Sequence, residues 1–221
     1  MRMILAMGGI GIIAGSLLVM TYVTTLPAIE RNRAEALERA IFSVLPSASR
    51  SASFAEVDGE FRALAAEESA PVVYYAGYDA GGQFVGTAVD AQGQGFMDVL
   101  RVLYGYSPGC ECIVGFMVLE SKETPGLGDK IETDPTFTAN FDALDVRLTP
   151  DKAQIQNPIV LVKPGQKTEP WQIDSITGAT ISSRAVATIL HDSTAVNVPV
   201  LMRNLEVLEH GIPSDSTSET D

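Results

Sequence analysis

A run of small and hydroxylated side chains in the last quarter of the chain is the first candidate for chemistry. Residues 174–183 read DSITGATISS, where Thr177 is placed to cap a helix and Gly178 to open it. A glutamate or glutamine often stands three residues after a capping threonine, but here Thr180 takes that place. The free N–H groups, positive dipole end and hydroxyls of such a helix start suit an anionic phosphate. By itself, the motif fits either a phosphate site or an ordinary hydroxyl-capped surface helix.

The second candidate is the glycine-rich loop 123–129, which reads ETPGLGD. Pro125 fixes one backbone dihedral, whereas Gly126 and Gly128 permit conformations that other residues avoid. Such a loop can bring backbone N–H groups close to a flat ligand and present Leu127 as an apolar contact. A plain strand-to-helix turn fits the same residues, so the loop alone leaves both interpretations open.

The remaining reactive side chains predict neither a metal centre nor a nucleophile. Cys110 and Cys112 are too few for a zinc site made from cysteines alone. They fit two unreactive thiols, a strained and reducible disulfide, or ligands at an interface with a partner. His191 and His210 have no metal-ligand spacing. Trp171 could stack on a flat ligand or lie in the core, and the core is favoured. A net charge of −13 repels phosphate backbones and argues against nucleic-acid binding.

The N-terminal segment predicts a transmembrane anchor over residues 1–26. No charged residue interrupts the run from Met3 to Leu26, and about 20 apolar residues are enough to span a bilayer. A cleaved signal peptide is the alternative, but its apolar region is usually about 7–15 residues long, and residues 24–28 form a poor cleavage site. Gly11 and Gly15 lie on one helical face and would let a partner helix approach closely. Basic residues after the run favour a cytoplasmic C-terminal side, although acidic neighbours weaken that signal.

The rest of the chain predicts a mixed α+β fold. A helix is expected over 27–45, a polar break over 46–53 and a short helix over 54–66, so that residues 27–70 form a helical segment. A domain over 71–211 is expected to contain a mostly antiparallel sheet flanked by helices, with strands at 72–78, 84–89, 112–119 and 160–162, a hairpin turn at 81–82, and helices at 182–191 and 200–208. Residues 214–221 have no apolar side chain to bury, so 212–221 are expected to form a disordered acidic tail.

Taken together, the two motifs are far more specific than either alone. D-x-x-T-G-A-T followed by Ser-Ser, with ETPGLGD some fifty residues upstream, resembles the FMN-binding domain of two related families. These are the G subunit of the Rnf electron-transport complex and the C subunit of the sodium-translocating NADH:quinone reductase. The resemblance covers the anchor, the helix after it and about residues 104–190, and segment 47–94 matches only in general character. The short chain and the sequence ITGAT at 176–180 favour the G subunit.

The resemblance implies the cofactor and the residues that hold it. Thr180 would receive FMN from FAD as a phosphoester through a dedicated flavin transferase. The transferase would recognise Asp174, Thr177, Gly178, Ala179 and Thr180. The flavin would supply the redox chemistry, with no catalytic residue or metal from this chain. Residues expected to contact the cofactor are Glu123, Thr124, Pro125, Gly126, Leu127, Gly128, Thr177, Gly178, Ala179, Ser182 and Ser183.

The resemblance also implies a role and a location. The chain would relay electrons in a membrane-bound, ion-translocating oxidoreductase of the Rnf type, which couples ferredoxin and NAD. Its partners would be other membrane subunits, the lipid bilayer and the flavin transferase during maturation. It would be a single-pass protein of a bacterial inner membrane with its domain on the periplasmic side. Two alternatives stay open: the C subunit of the quinone reductase, and an unflavinylated membrane-anchored assembly module.

Overall fold

The computed structural model describes residues 2–57, 59–64, 68, 70 and 72–211. Contacts divide the chain into two compact units, Met1–Arg39 and Ala40–Asp221. This division differs from the domain boundaries expected after residues 26 and 70. The acidic tail expected at 212–221 lies outside the described residues.

The N-terminal helix α1 (Arg2–Val44) is continuous, although a separate helix was expected to begin at Pro27. In the turn before this proline, the hydroxyls of Thr24 and Thr25 donate hydrogen bonds to carbonyl groups one turn earlier. The stretch Met7–Val44 is long and apolar enough to cross a membrane, a test that N-terminal signal sequences also pass.

Two sheets follow α1. The strands are β1 (Arg50–Val57), β2 (Glu60–Ala63), β3 (Tyr74–Tyr78), β4 (Phe84–Gln94), β5 (Val99–Ser107), β6 (Cys112–Glu120), β7 (Leu144–Asp145), β8 (Val160–Val162) and β9 (Gln172–Asp174). The first seven form one sheet in the order β2-β1-β3-β4-β5-β6-β7, and every pairing in it is antiparallel. Strands β8 and β9 form a separate parallel pair.

Helices cover one face of the main sheet. They are α2 (Lys130–Thr133), α3 (Pro135–Thr138), a 3₁₀ turn (Ala139–Phe141), α4 (Thr180–Arg203) and α5 (Leu205–His210). Val186 and Leu190 of α4 are fully buried in the main core cluster, and the hydroxyls of Tyr104 and Ser193 lie 3.0 Å apart. Although α4 is also long and apolar enough to span a membrane, most of it is buried, so it is the core helix of this unit.

The last turn of α1 is fitted against glycines of four adjacent strands. A Cβ atom on Gly105 would lie 2.1 Å from the carbonyl oxygen of Val44, and one on Gly115 would lie 2.5 Å from the same atom. Gly77 and Gly86 make similar room for the side chain of Leu45. Both Val44 and Leu45 are almost completely buried, so these glycines allow the last turn of the helix to pack closely on the sheet.

The structure confirms the α+β class, the antiparallel sheet, the β3–β4 hairpin and the strands at 112–119 and 160–162. The helix expected at 54–66 is wrong, and so is the helical segment extended to residue 70, because β1 and β2 occupy this region. Gly59, at φ +90°, supplies a left-handed turn between them that a helix does not contain. The two helices expected at 182–191 and 200–208 are instead α4, which runs through Pro199, and the short α5.

Candidate functional site

The first motif forms a turn and the start of α4. The helix begins at Thr180 with Ala179 as its N-cap, so the expected cap at Thr177 is wrong by two residues. Gly178 has φ +85° and therefore belongs to the turn rather than to the helix. The exposed Thr180 is thus the first helical residue, and the first N–H groups of a helix have no acceptor within it.

Ser183 holds this turn in place. Its hydroxyl oxygen accepts a hydrogen bond from the backbone N–H of Ile176 at 3.1 Å, and its O–H donates to the carbonyl of Ala179 at 2.9 Å. The side chain is fully buried and points into the protein. Ser183 therefore shapes the helix start from behind, instead of offering its hydroxyl to a ligand.

The second motif folds into a compact turn between β6 and α2. The N–H groups of Leu127 and Gly128 donate to the carbonyl of Thr124 at 3.1 and 3.0 Å, and Gly126 adopts φ +76°. Leu127 is left exposed at the tip. The loop accordingly presents an apolar side chain, as the sequence predicted, while two of its N–H groups already donate to the carbonyl of Thr124.

Glu123 joins the two motifs. Its carboxylate accepts hydrogen bonds from the Ser182 hydroxyl at 2.5 Å, from the Phe96 N–H at 2.7 Å and from the Met97 N–H at 3.2 Å. The residue is only 7% exposed. A Cβ atom on Gly128 would lie 2.6 Å from this carboxylate, so the second glycine of the loop is needed for close approach.

The motifs meet around one cavity of about 320 Å³, called here the motif cavity. It includes eight of the residues expected from sequence: Glu123, Thr124, Leu127, Gly128, Gly178, Ala179, Thr180 and Ser182. Four others do not line it: Pro125, Gly126, Thr177 and Ser183. Phe96 and Ile181 complete the lining and were missed from sequence, although an apolar pair after Gly95 at a strand end was a usable signal for Phe96.

Asp174 and Thr177 face a different cavity of about 400 Å³, which also contains Lys130, Thr136 and Gly165. The carboxylate of Asp174 accepts hydrogen bonds from the N–H groups of residues 166 and 167, both at 3.0 Å. Its backbone N–H donates to the side-chain oxygen of Asn140 at 3.0 Å. The motif thus has two sides, with Thr180 open to one cavity and Asp174 with Thr177 open to the other.

The backbone donors and apolar side chains around the motif cavity suit a flavin mononucleotide. The first turn of the 24-residue helix α4 offers free N–H groups and a positive dipole end for a phosphate. The exposed side chains of Leu127 and Ile181 offer apolar contact for a flat ring system. The volume lies at the lower end of the roughly 300–1,000 Å³ usual for cofactor pockets, so a bound ring would stay partly exposed.

The other sequence candidates lie outside the motif cavity. Cys110 and Cys112 form a disulfide, which decides among the three alternatives left open. Trp171 was expected in the core, but it is only half-buried and is not part of the core cluster, and it does not line the cavity either. The Nδ1 atom of His191 lies 3.2 Å from the carbonyl oxygen of Ile159, so the ring makes a hydrogen bond within the protein. Among the described residues, no group of His, Cys, Asp and Glu could hold a metal ion.

Part of the chain matches a known family of cofactor-binding domains. The FMN-binding domain family matches residues 95–195, a range that contains both motifs and the whole lining of the motif cavity. The C subunit of the Na(+)-translocating NADH-quinone reductase from Parabacteroides distasonis has the same fold, with a TM-score of 0.62 and 20% identity over 80% of this chain and 96% of that one. NqrC of Shewanella oneidensis aligns with a TM-score of 0.48 and 20% identity, covering 76% of this chain and 73% of that one.

One relative matches most of the length of this chain. The G subunit of the ion-translocating oxidoreductase complex of Methanosarcina acetivorans is 35% identical over 193 residues, which cover 87% of this chain and 91% of the relative. The chain therefore belongs to the family of G subunits of ion-translocating oxidoreductase complexes.

Proposed function

We propose that this chain is the electron-relay subunit of an ion-translocating oxidoreductase complex of the Rnf type, and that it carries FMN on Thr180 through a phosphoester bond. One observation supports this most directly. Thr180 is exposed, is the first residue of α4, and lines the cavity where both sequence motifs meet. A hydroxyl in this position can form a covalent bond to a phosphate group, and the positive end of the helix dipole can stabilise the negative charge of that group.

The attachment reaction is a transfer from FAD by a flavin transferase. The Oγ1 atom of Thr180 bonds to the phosphorus on the riboflavin side of FAD, the bond between the two phosphate groups breaks, and AMP leaves. The hydroxyl proton passes to a base of the transferase. The phosphodiester that remains keeps one negative charge, which suits the N–H groups of the first helical turn. Asp174 and Thr177 face the neighbouring cavity, so we assign recognition by the transferase to that side of the motif.

The bound flavin supplies one- and two-electron redox chemistry, and the chain supplies position. Ser183 fixes the turn before Thr180, and Glu123 ties the glycine-rich loop to the helix. Leu127 and Ile181, which line the motif cavity, would offer apolar contact to part of the ring system. No general base or metal is required of these residues.

We further propose that α1 anchors the chain in a membrane and packs against other subunits through Gly11 and Gly15. Among the described residues, none has an atom within 4 Å of a Cβ placed on either glycine, so a neighbouring helix could approach closely there. The domain is assigned to the outer side of the membrane, periplasmic where an outer membrane exists. The Cys110–Cys112 disulfide supports this side, because disulfides persist mainly outside the reducing cytoplasm.

A denaturing gel viewed under ultraviolet light tests the attachment. The native chain and the Thr180→Ser variant are expected to give fluorescent bands. The Thr180→Val variant is expected to give a dark band, although the amount of protein in the membrane is unchanged. Thr188→Val changes an exposed threonine of the same helix outside the motif cavity and should leave the band bright. A dark native band would favour the unflavinylated assembly module. Co-purification with the other subunits of a quinone reductase would instead favour membership of that enzyme.

A further inference from the structure

The charges around the motif cavity are unbalanced for an anionic ligand. Among the described residues that line the cavity, Glu123 is acidic and none is a lysine, arginine or histidine. A phosphodiester on Thr180 would add a second negative charge to the same small cavity, and like charges repel. The start of α4 contributes roughly half a positive charge, which does not balance two anions. A cation at the edge of the cavity would therefore stabilise the bound phosphate.

Arg184 stands at that edge, four residues after Thr180 on α4, and its side chain is exposed. Four residues make slightly more than one helical turn. Arg184 is therefore displaced from Thr180 by about 40° around the helix, toward Ile181, and by about 6 Å along its axis. Side chains on a helix lean toward its N-terminus, so an arginine at this position extends over the turn that carries Thr180. Its guanidinium group is within reach of a group bonded to the Thr180 hydroxyl.

This arginine is free to bind an anion. In the part of the chain that the structure describes, Arg184 forms no ion pair. It lines an open groove of about 610 Å³, which shares Ile181 with the motif cavity. The carboxylate of Asp192 also lines this groove, but it belongs to a residue about 12 Å further along the helix axis. Arg184 can therefore turn toward the motif cavity without losing an ion pair.

Two other basic residues near the motifs are engaged elsewhere. Lys122 forms an ion pair with Asp98, and Lys130 lines the separate cavity beside Asp174. Arginine is also better suited than lysine to this ligand, because its planar guanidinium group can donate two parallel hydrogen bonds to two oxygens of one phosphate. A phosphodiester keeps two oxygens outside its ester bonds, and these can accept both hydrogen bonds.

We infer that Arg184 binds the phosphate of the flavin on Thr180 and that its guanidinium group donates hydrogen bonds to the two free oxygens of the phosphodiester. This inference rests on the proposed function, because the flavin brings the phosphate. The negative charge is then shared between Arg184 and the N–H groups of the first helical turn. Since Arg184 lies on the Ile181 side of Thr180, the contact draws the phosphate toward that side of the helix.

Solid-state NMR of the flavinylated full chain, in a detergent without phosphorus, tests this contact. With ¹⁵N in every arginine side chain, rotational-echo double resonance reports nitrogen atoms close to the flavin phosphorus as dephasing of the ³¹P signal. We expect dephasing in the native chain and its loss in Arg184→Gln. Arg203→Gln removes an exposed arginine at the other end of α4 and should behave as the native chain does. An undephased native signal, or equal dephasing in Arg184→Gln, would overturn the inference.

Arg184→Lys provides the same test should glutamine prevent attachment of the flavin. Lysine keeps the positive charge but carries no ¹⁵N label, so the gel band should stay fluorescent while the dephasing is lost. Dephasing at the native level in this variant would assign the contact to another arginine and refute the inference. The proposed function fails separately, through a dark native band without any flavin ³¹P signal. A fluorescent native band with an undephased signal would refute the role of Arg184 and leave the flavin on Thr180.

Discussion

The hydroxyl of Ser182 donates a hydrogen bond to the carboxylate of Glu123 across 59 residues of sequence. Both side chains are buried, and no salt bridge to Glu123 is present among the described residues. A carboxylate in this setting depends on neutral donors for stabilisation. The contact therefore turns two separate motifs, a glycine-rich loop and a helix start, into one structural unit.

The first prediction concerns this carboxylate. Glu123→Ala would leave the Ser182 hydroxyl and the N–H groups of Phe96 and Met97 without their acceptor, so we expect a loss of about 2–4 kcal/mol in the free energy of unfolding. The flavin fluorescence of the band should fall as well, because the loop and helix would no longer be held together. Thermal unfolding of the full chain in detergent gives the stability.

Glu123→Gln is the matched control for that prediction. Its amide oxygen can still accept from the two backbone N–H groups, and its NH₂ group can donate to the Ser182 oxygen. We expect a loss below about 1 kcal/mol. If Glu123→Ala unfolds at the same temperature as Glu123→Gln, the anchoring role of the carboxylate is wrong.

The glycines under the last turn of α1 give the second prediction. Gly105→Ala should destabilise the domain by about 3 kcal/mol or more, since its Cβ would lie 2.1 Å from the Val44 carbonyl oxygen and neither backbone can move freely. Gly109→Ala is the control, because its Cβ would meet nothing closer than 3.8 Å. Chemical unfolding of both variants measures the difference, and equal midpoints would contradict the close fit.

A third prediction separates backbone strain from cavity function. Gly178 and Gly126 both have positive φ angles and open space around the Cβ position, but only Gly178 lines the motif cavity. Alanine at either position should cost about 1–2 kcal/mol through its left-handed conformation. Flavin incorporation, read as fluorescence per unit of protein, should fall several-fold for Gly178→Ala and stay near normal for Gly126→Ala. An equal fall in both would mean that the loss comes from stability alone.

How much of this structure could be read from sequence depended on how local each signal was. The β3–β4 hairpin and strand β6 were predicted because their β-branched and aromatic residues alternate beside clear turn residues. Strand β5 was missed because it lies in the middle of the sheet and is buried on both faces, which gives it a nearly continuous apolar run. The cap at Thr177 was misplaced because Gly178 was read as helical.

The site shows the same limit. The motifs themselves supplied Thr180, Glu123 and Leu127 as candidates, all of which line the motif cavity. Phe96 comes from the connection between β4 and β5, which has no motif of its own, and its backbone N–H donates a long-range hydrogen bond to Glu123. A contact of this kind follows from the tertiary fold, and a single sequence without pairing information does not specify it.

The last prediction concerns the disulfide between Cys110 and Cys112. Replacing both cysteines by serine should lower the free energy of unfolding by about 1–2 kcal/mol, because a loop of three residues restricts the unfolded chain much less than a long one. For a domain of this size, that loss corresponds to roughly 2–8 °C in the unfolding temperature. Alkylation of the denatured native chain should add two groups only after reduction. Alkylation without any reductant would show free thiols and would also remove the support that the disulfide gives to an outward-facing domain.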